Sequence, residues 1–262
     1  MTRLPQRRLK EIRSLAHRKY RDRYGETIAE GVRAVEAALD AGAELRTLLV
    51  SESAQGRLAE RFRIPEDRVY VVSERDMRTV SAVETSQGVL AVAGIRRAAP
   101  ETLASMQRVL LLDGVSDPGN AGAIIRTAAW FGIEAVVTAP DSVDAYHPKV
   151  VRASMGGVWD VEHVETPDPA GMLENLTAYG FAVYGADLEG IPVDDWTPVL
   201  PSVLVLGSEA HGISPEVRVR IAERVLIPGR MHRNEKPGAQ GVESLNAAVA
   251  AGILLHAWAR TA

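Results

Sequence analysis

Cysteine is absent from the 262 residues. That single gap excludes disulfide staples, thiolate nucleophiles, zinc–cysteine sites and the zinc deaminases. No apolar run approaches the ~18–20 residues of a membrane span, and the longest, Ala247–Leu255, stops at His256. The leading MTRLPQRRLK is basic without an apolar stretch behind it, unlike a secretory signal. A cytoplasmic protein with no membrane partner is the expectation. The fingerprints G-x-G-x-x-G, G-x-x-x-x-G-K-[ST] and H-E-x-x-H are also missing. Carboxylates show no metal-ligand spacing and the six histidines are scattered, so no metal is expected. Lysine is scarce: only Lys10, Lys19, Lys149 and Lys236 among 30 basic residues, which together with abundant alanine fits a GC-rich genome better than any bulk arginine chemistry.

What is present suffices for a core. Hydrophobic residues are 46% and charged residues 24% of the chain, close to an ordinary globular protein and incompatible with global disorder. At 262 residues the chain holds one large domain or two small ones. The net charge of −4 conceals an asymmetry, because residues 1–24 carry nine basic side chains against Glu11 and Asp22. That segment is +7 and the remainder −11. An acidic body with a basic leading segment points to a polyanion met at one end, with Arg7, Arg8, Arg13, Arg18 and Lys19 as candidate phosphate contacts. The competing reading is a solvated helix face backed by Leu4, Leu9, Ile12 and Leu15.

Periodicity predicts a helix over 5–22, a strand at 27–29, a helix over 32–41, a strand at 45–50, a helix near 57–62, a strand at 68–72, a short helix near 74–80 and a strand at 89–95. Residues 96–105, with Pro100 and small side chains, read as a linker. Alternation then restarts: strands at 109–112, 135–138, 161–164, 181–184, 203–206 and 224–227, with helices at 121–131, 149–153, 170–179, after Ser214, and 243–259. Continuous apolar strands such as VLLL and VLVL imply a parallel sheet buried on both faces. The fold class expected is α/β. Trp130, Phe131, Trp159 and Trp258 fall on apolar helix or strand positions and read as packing.

Ligands of open parallel sheets bind outside the carboxyl ends of the strands, and three such ends are rich in turn and polar residues. The first is DGVSDPGNAGAIIRTA, Asp113 to Ala128, whose glycines and Pro118 permit a tight turn ahead of a helix bearing Arg126. An ordinary strand-to-helix turn explains it equally well. The second is LGSEAHGIS, Leu206 to Ser214, with Ser214 placed to cap the next helix. Ser208 and His211 suggest a hydrolase, but the nucleophile elbow G-x-S-x-G is lacking. The third is Ile227–Pro228 followed by ESLNAAVAAG, which sets Ser244 and Asn246 at the start of the last helix.

In order and type these loops resemble the SpoU-type (TrmH-like) branch of the SPOUT superfamily of S-adenosylmethionine-dependent RNA 2′-O-ribose methyltransferases. DPGNAGAIIRTAAWFG, LVLGSEAHGIS and VLIPG…VESLNAAVAAGILL resemble its three motifs, and KVVRASMGG a further family segment, whose Arg152 is expected to contact RNA. HRKYRDRYGETIAEGVRAVEAAL and ETSQGVLAVA are similar to the small ribosomal-protein-like RNA-binding domain that often precedes the catalytic one. The resemblance implies an RNA substrate-binding domain over 1–96, a linker at 97–106, and over 107–262 a methyltransferase domain with a trefoil knot, an exception to the no-threading rule. It implies a homodimer through that domain. It implies S-adenosylmethionine held by Leu206, Gly207, Ile227, Pro228, Leu245 and Asn246, with Asn120, Arg126, Glu209, Ser244 and Asn246 as the catalytic set. Because a guanidinium with pKa above ~12 is a poor base, Arg126 is expected to clamp phosphate and stabilise a developing alkoxide. The basic stretch after Pro228, with Arg230, His232, Arg233 and Lys236, is longer than the family's usual link and reads as an RNA-contacting loop ahead of the alternative, a tolerated surface insertion. Ribosomal RNA is favoured as partner over tRNA. The alternatives are a tRNA 2′-O-methyltransferase and a non-catalytic RNA-binding protein that keeps the fold.

Overall fold

Apolar runs bounded by turn residues become strands. In chain order the computed structural model has β1 (Thr2–Arg3), α1 (Gln6–Ser14), α2 (Arg18–Tyr24), β2 (Glu26–Glu30), α3 (Val32–Asp40), β3 (Leu45–Ser51), α4 (Gln55–Leu58), β4 (Val69–Val72), α5 (Glu74–Val80) and β5 (Val89–Gly94). There follow β6 (Arg108–Asp113), α6 (Pro118–Trp130), β7 (Ala135–Thr138), α7 (Pro148–Ser154), β8 (Glu162–Glu165), α8 (Pro169–Ala178) and β9 (Ala182–Pro192). The chain continues through β10 (Ser202–Gly207), α9 (Pro215–Arg218), β11 (Glu223–Leu226) and α10 (Ala247–Ala259). The structure describes residues 2–58, 61–62, 64–229 and 244–260. Arg230, His232, Arg233 and Lys236 lie outside the described residues. So does the 230–243 stretch of the link between β11 and α10.

The chain divides into two compact units, one of Met1–Arg96 with Asp144–Asp160, the other of Arg97–Val143 with Val161–Ala262. The first is built on a five-stranded mixed sheet ordered β1-β4-β3-β5-β2, with β5 antiparallel to both of its neighbours. The second has six parallel strands ordered β11-β9-β10-β6-β7-β8. Val109–Leu112 and Val203–Leu206 are buried, as expected of central parallel strands covered on both faces. Burying each such Leu or Val contributes roughly 1.5–3 kcal/mol.

Four elements differ from the sequence reading. The single helix over 5–22 is two helices, interrupted at Leu15–His17. Arg21 explains the break. Its guanidinium is 2% exposed, donates to the carbonyls of Leu15 and Ala16 at 2.9 and 3.0 Å, and so satisfies groups that the end of α1 leaves open. The stretch read as a linker contains a 3-10 turn over Pro100–Ser105 whose Leu103 is fully buried in the core of the second unit. β9 runs to Pro192, well past the expected strand, because it pairs with β11 across a bulge at Arg224/Val225. Trp130 is 84% exposed instead of packed.

The 144–160 segment completes the first unit. Asp144 accepts from Nε and Nη2 of Arg21 at 2.9 and 2.7 Å, both residues being buried. Thr27 Oγ1 donates to the Tyr146 carbonyl at 2.6 Å, the Tyr146 hydroxyl donates to the Arg96 carbonyl at 2.7 Å, and the Trp159 indole donates to the Gly94 carbonyl at 3.3 Å.

His147 heads α7 and its Nδ1 accepts from the Lys149 amide at 3.2 Å, a bond that only an unprotonated Nδ1 makes. Burial, aided by the Arg21 charge, holds this imidazole below its ordinary 6.5. Above that value the ring is neutral in both folded and unfolded chains. Below it the unfolded chain binds the proton first, so stability falls as pH drops from 6.5 toward the folded pKa. The slope is expected in urea titrations of the wild type between pH 7 and 5, and a His147→Asn variant, which keeps the cap without the titration, is expected to flatten it.

Candidate functional site

Strands β6 and β10 lie in register with Asp113 opposite Gly207 at their carboxyl ends, so the loops that follow emerge side by side. After β10 the chain closes on itself: the amides of Ser208 and Gly212 donate to each other's carbonyls at 3.0 and 2.9 Å. The closure is so tight that a Cβ on Gly207 would lie 2.2 Å from the Gly212 carbonyl carbon. Ser208 Oγ accepts from the backbone amide of His211 at 3.0 Å, and the His211 side chain is exposed. A hydroxyl engaged in a turn beside an exposed imidazole does not make a nucleophile–base pair. Ser214 heads α9, but without the expected side-chain cap. Its backbone amide donates instead to Asp113 Oδ2 at 2.6 Å, tying the second loop to the first.

After β6, Asp117 caps α6 by accepting from the Asn120 amide at 2.7 Å. Asn246 caps α10, its Oδ1 accepting from the amides of Ala248 and Val249 at 3.0 and 3.3 Å. That cap fixes which way the amide points. With its oxygen occupied, Asn246 donates through Nδ2 to Asn120 Oδ1 at 3.0 Å, which turns the Asn120 Nδ2 to donate to a Glu209 carboxylate oxygen. One chain of hydrogen bonds thus joins residues 120, 209 and 246, from all three loops. Its polarity runs from a helix N-terminus to a carboxylate acceptor.

Beside this chain is a cleft of about 620 Å³, within the usual size range of small-molecule sites. Leu206, Gly207, Ile227, Pro228 and Leu245 line it, as do Glu209 and Ser244. Asn246 is not among the lining residues and acts through its bonds. Arg126 stands apart from the chain of hydrogen bonds, exposed on α6 and without a hydrogen-bond partner among the described residues. Sequence reasoning missed Asp187 and Arg218, which also line the cleft and pair at 2.8 Å. No motif flags them, because Asp187 lies on the part of β9 that the apolar pattern does not reach.

Residues 107–256 match the SpoU rRNA Methylase family. The chain belongs to this family. Residues 6–91 match the MRM3-like substrate binding domain. The chain is similar to the 23S rRNA (guanosine(2553)-2′-O)-methyltransferase RlmP of Bacillus subtilis, at 30% identity covering 95% of this chain and 94% of that protein. Among solved structures it resembles the SpoU methyltransferase AviRb from Streptomyces viridochromogenes in complex with AdoMet, with TM-score 0.80, 28% identity and 98% of each chain covered. An AdoMet-bound rRNA methyltransferase from Sinorhizobium meliloti matches with TM-score 0.76 and 27% identity, covering 99% of this chain and 96% of that one.

As a SpoU-family site the cleft suits a nucleoside-based cofactor. Leu206, Ile227, Leu245 and Leu254 give apolar walls for a base, and Gly207, Gly212 and Gly229, which also line the cleft, put no side chain in its way.

The basic leading segment of the first unit is partly committed internally. Arg8 makes two 2.9 Å bonds to the buried Glu26, so its guanidinium already has a carboxylate in the place a phosphate would take. Arg7 bonds Glu11 at 3.1 Å and Arg18 lies 3.6 Å from Asp22. Arg13 and Lys19 are exposed, and Arg152 on α7 is half-buried.

Proposed function

We propose that this SpoU-family chain methylates a ribose 2′-hydroxyl of structured RNA, ribosomal RNA foremost, and that the cleft beside Glu209 holds S-adenosylmethionine. The carrying observation is the single hydrogen-bond chain through Asn120, Glu209 and Asn246, which makes the three family motifs one site. The RlmP and Sinorhizobium relatives, both named for rRNA, support the choice of RNA class. Residues 1–96 are assigned to substrate binding and 107–262 to catalysis, in a cytoplasmic enzyme. No described helix is long and apolar enough to cross a membrane.

Bound there, the cofactor supplies a methyl group on a sulfonium, reactive toward an oxygen nucleophile. Leu206, Gly207, Ile227, Pro228 and Leu245 hold it. Arg126, without a partner among the described residues, clamps the RNA phosphate and stabilises negative charge as the 2′-oxygen loses its proton. Ser244, with phosphate or water, assists that loss. Glu209 keeps Asn120 oriented, and Asn120 in turn fixes the first loop against the third. A homodimer through the catalytic unit is part of the reading. Its support is a pair of exposed apolar side chains on α10, Val249 and Ile253 at 53 and 38% exposed, together with Trp130 on α6.

Transfer of labelled methyl from S-adenosylmethionine to unmodified ribosomal RNA and to tRNA, assayed separately, tests this. Label is expected in ribosomal RNA, protecting the modified ribose from alkaline cleavage, and Arg126→Ala is expected to lower kcat by about 10²–10³. If Arg126→Ala loses RNA affinity in proportion to turnover, its role is binding alone. A wild type that neither transfers label nor binds the cofactor overturns the proposal.

A further inference from the structure

Four cations of the leading segment are engaged by carboxylates: Arg7 with Glu11, Arg8 with Glu26, Arg18 with Asp22 and Arg21 with Asp144. Lys19 and Arg23, both exposed, have no carboxylate partner among the described residues. They are four residues apart and so share one face of α2.

Tyr20 and Tyr24 form the neighbouring stripe. Their rings are stacked, with centroids 6.2 Å apart and planes 17° from parallel, within the range of favourable offset pairs. The Arg23 guanidinium lies over the Tyr24 ring, 5.6 Å from its centroid. Both tyrosines are half-exposed, and neither hydroxyl has a hydrogen-bond partner among the described residues. Tyr24 also packs against the core of its unit, which anchors the pair. A preformed aromatic pair beside two cations that have no carboxylate partner among the described residues offers what an unpaired nucleotide uses. The base stacks on an aromatic face and the phosphate meets a cation. A regular duplex, its bases already stacked on one another, uses only the cations.

We propose that α2 is a binding site for unpaired nucleotides of the RNA substrate, with Tyr20 and Tyr24 stacking a base and Lys19 and Arg23 holding the flanking phosphates. This rests on the reading of the chain as an RNA methyltransferase and adds to it that the substrate presents a loop, bulge or single strand to the first unit. The positive charge of the stripe, set against the −11 carried by residues 25–262, selects a polyanion.

The test uses the full chain with two probes, a single-stranded oligouridine and a blunt RNA duplex. Tyr20→Leu keeps an apolar side chain and removes the stacking face. It is expected to weaken oligouridine binding about tenfold or more, leaving duplex binding and the salt slope unchanged, and Tyr20→Phe is expected to restore affinity. Lys19→Ala with Arg23→Ala is expected to weaken both probes and to flatten the single-strand salt slope by about 0.7 for each phosphate no longer neutralised. A folded Tyr20→Leu protein, with unchanged thermal midpoint, that binds oligouridine as the wild type does overturns the proposal. If Tyr20→Leu fails to fold, an unchanged salt slope in the Lys19/Arg23 variant overturns it instead. The outcomes separate from those of the broader reading. A wild type that methylates RNA while Tyr20→Leu keeps its KM and its oligouridine affinity removes only the α2 site, whereas a wild type inactive on every RNA removes the methyltransferase reading.

Discussion

Asp144→Ala is expected to destabilise the first unit by about 3–5 kcal/mol, the usual consequence of removing one partner of a buried ion pair. Arg21 is 2% exposed and has no route to solvent from its position against the end of α1. Without Asp144 it keeps two carbonyl acceptors and loses the carboxylate that balances its charge. The loss exceeds that expected from any surface pair here, such as Arg7–Glu11, because exposed pairs contribute only about 0–1 kcal/mol. Urea titration followed by hydrogen exchange of the β2–β5 amides measures it within the first unit. The double variant Arg21→Met, Asp144→Leu is expected to recover part of the loss, since it removes the buried unpaired charge but leaves the Leu15 and Ala16 carbonyls and the Tyr146 amide without their side-chain partners. If the single and double variants are equally unstable, packing and not charge is what the pair supplies.

The second large effect is expected at Gly207. An alanine there would set its Cβ 2.2, 2.4 and 2.4 Å from Gly212 carbonyl carbon, Gly212 carbonyl oxygen and Ile213 amide nitrogen. All three are backbone atoms, so no side-chain rotation relieves the overlap. The 208–212 loop has to open, which breaks the reciprocal Ser208–Gly212 bonds and displaces Glu209 from Asn120. Overpacking of this kind typically costs about 1–3 kcal/mol, and cofactor affinity is expected to fall by at least about tenfold. Calorimetry with S-adenosylmethionine reads the loss. Gly212→Ala is the comparison: no atom lies within 4 Å of its added Cβ, and it meets only the strain of φ +68°. A smaller defect there separates steric closure from backbone strain.

Most of the second unit was legible in the sequence, because its strands are continuous apolar runs and its loops carry turn residues that periodicity cannot absorb. Leu206, Gly207, Ile227, Pro228 and Leu245, a set that the family resemblance and not periodicity singled out, line one cleft. Asn246 was legible as a polar residue at a helix start, and Asn120 and Glu209 only through the family resemblance, although their order in one hydrogen-bond chain was not. The losses are physical as well. Arg21 counts with the solvated cations in any charge tally, and its partner lies 123 positions away. The extended half of β9, ADLEGIP, has charge, glycine and proline where strand patterns expect alternation, and it is held by pairing with β11. Leu103 sits among linker-like neighbours, and only the tertiary core reveals that it is buried. Trp130 fits an apolar helix position by spacing and is left at the surface.

The division of the first unit between residues 1–96 and 144–160 has a consequence during synthesis. A ribosome releases the segments in order, so β1 through β5 exist before the strip that completes them. At about 5–20 residues per second, the 64 positions from 96 to 160 take roughly 3–13 seconds to translate. Asp144 is added 48 positions after Arg96, Tyr146 50 and Trp159 63, and until each is made Arg21, Thr27 and Gly94 lack those partners in turn. The nascent first unit waits with an unneutralised cation and open backbone groups while β6, α6 and β7 are already emerging. A premature stop or a nuclease cut in the message between those points would release a fragment that cannot finish folding, a natural substrate for quality control. The units are separate as packed bodies, but in time they are made as one.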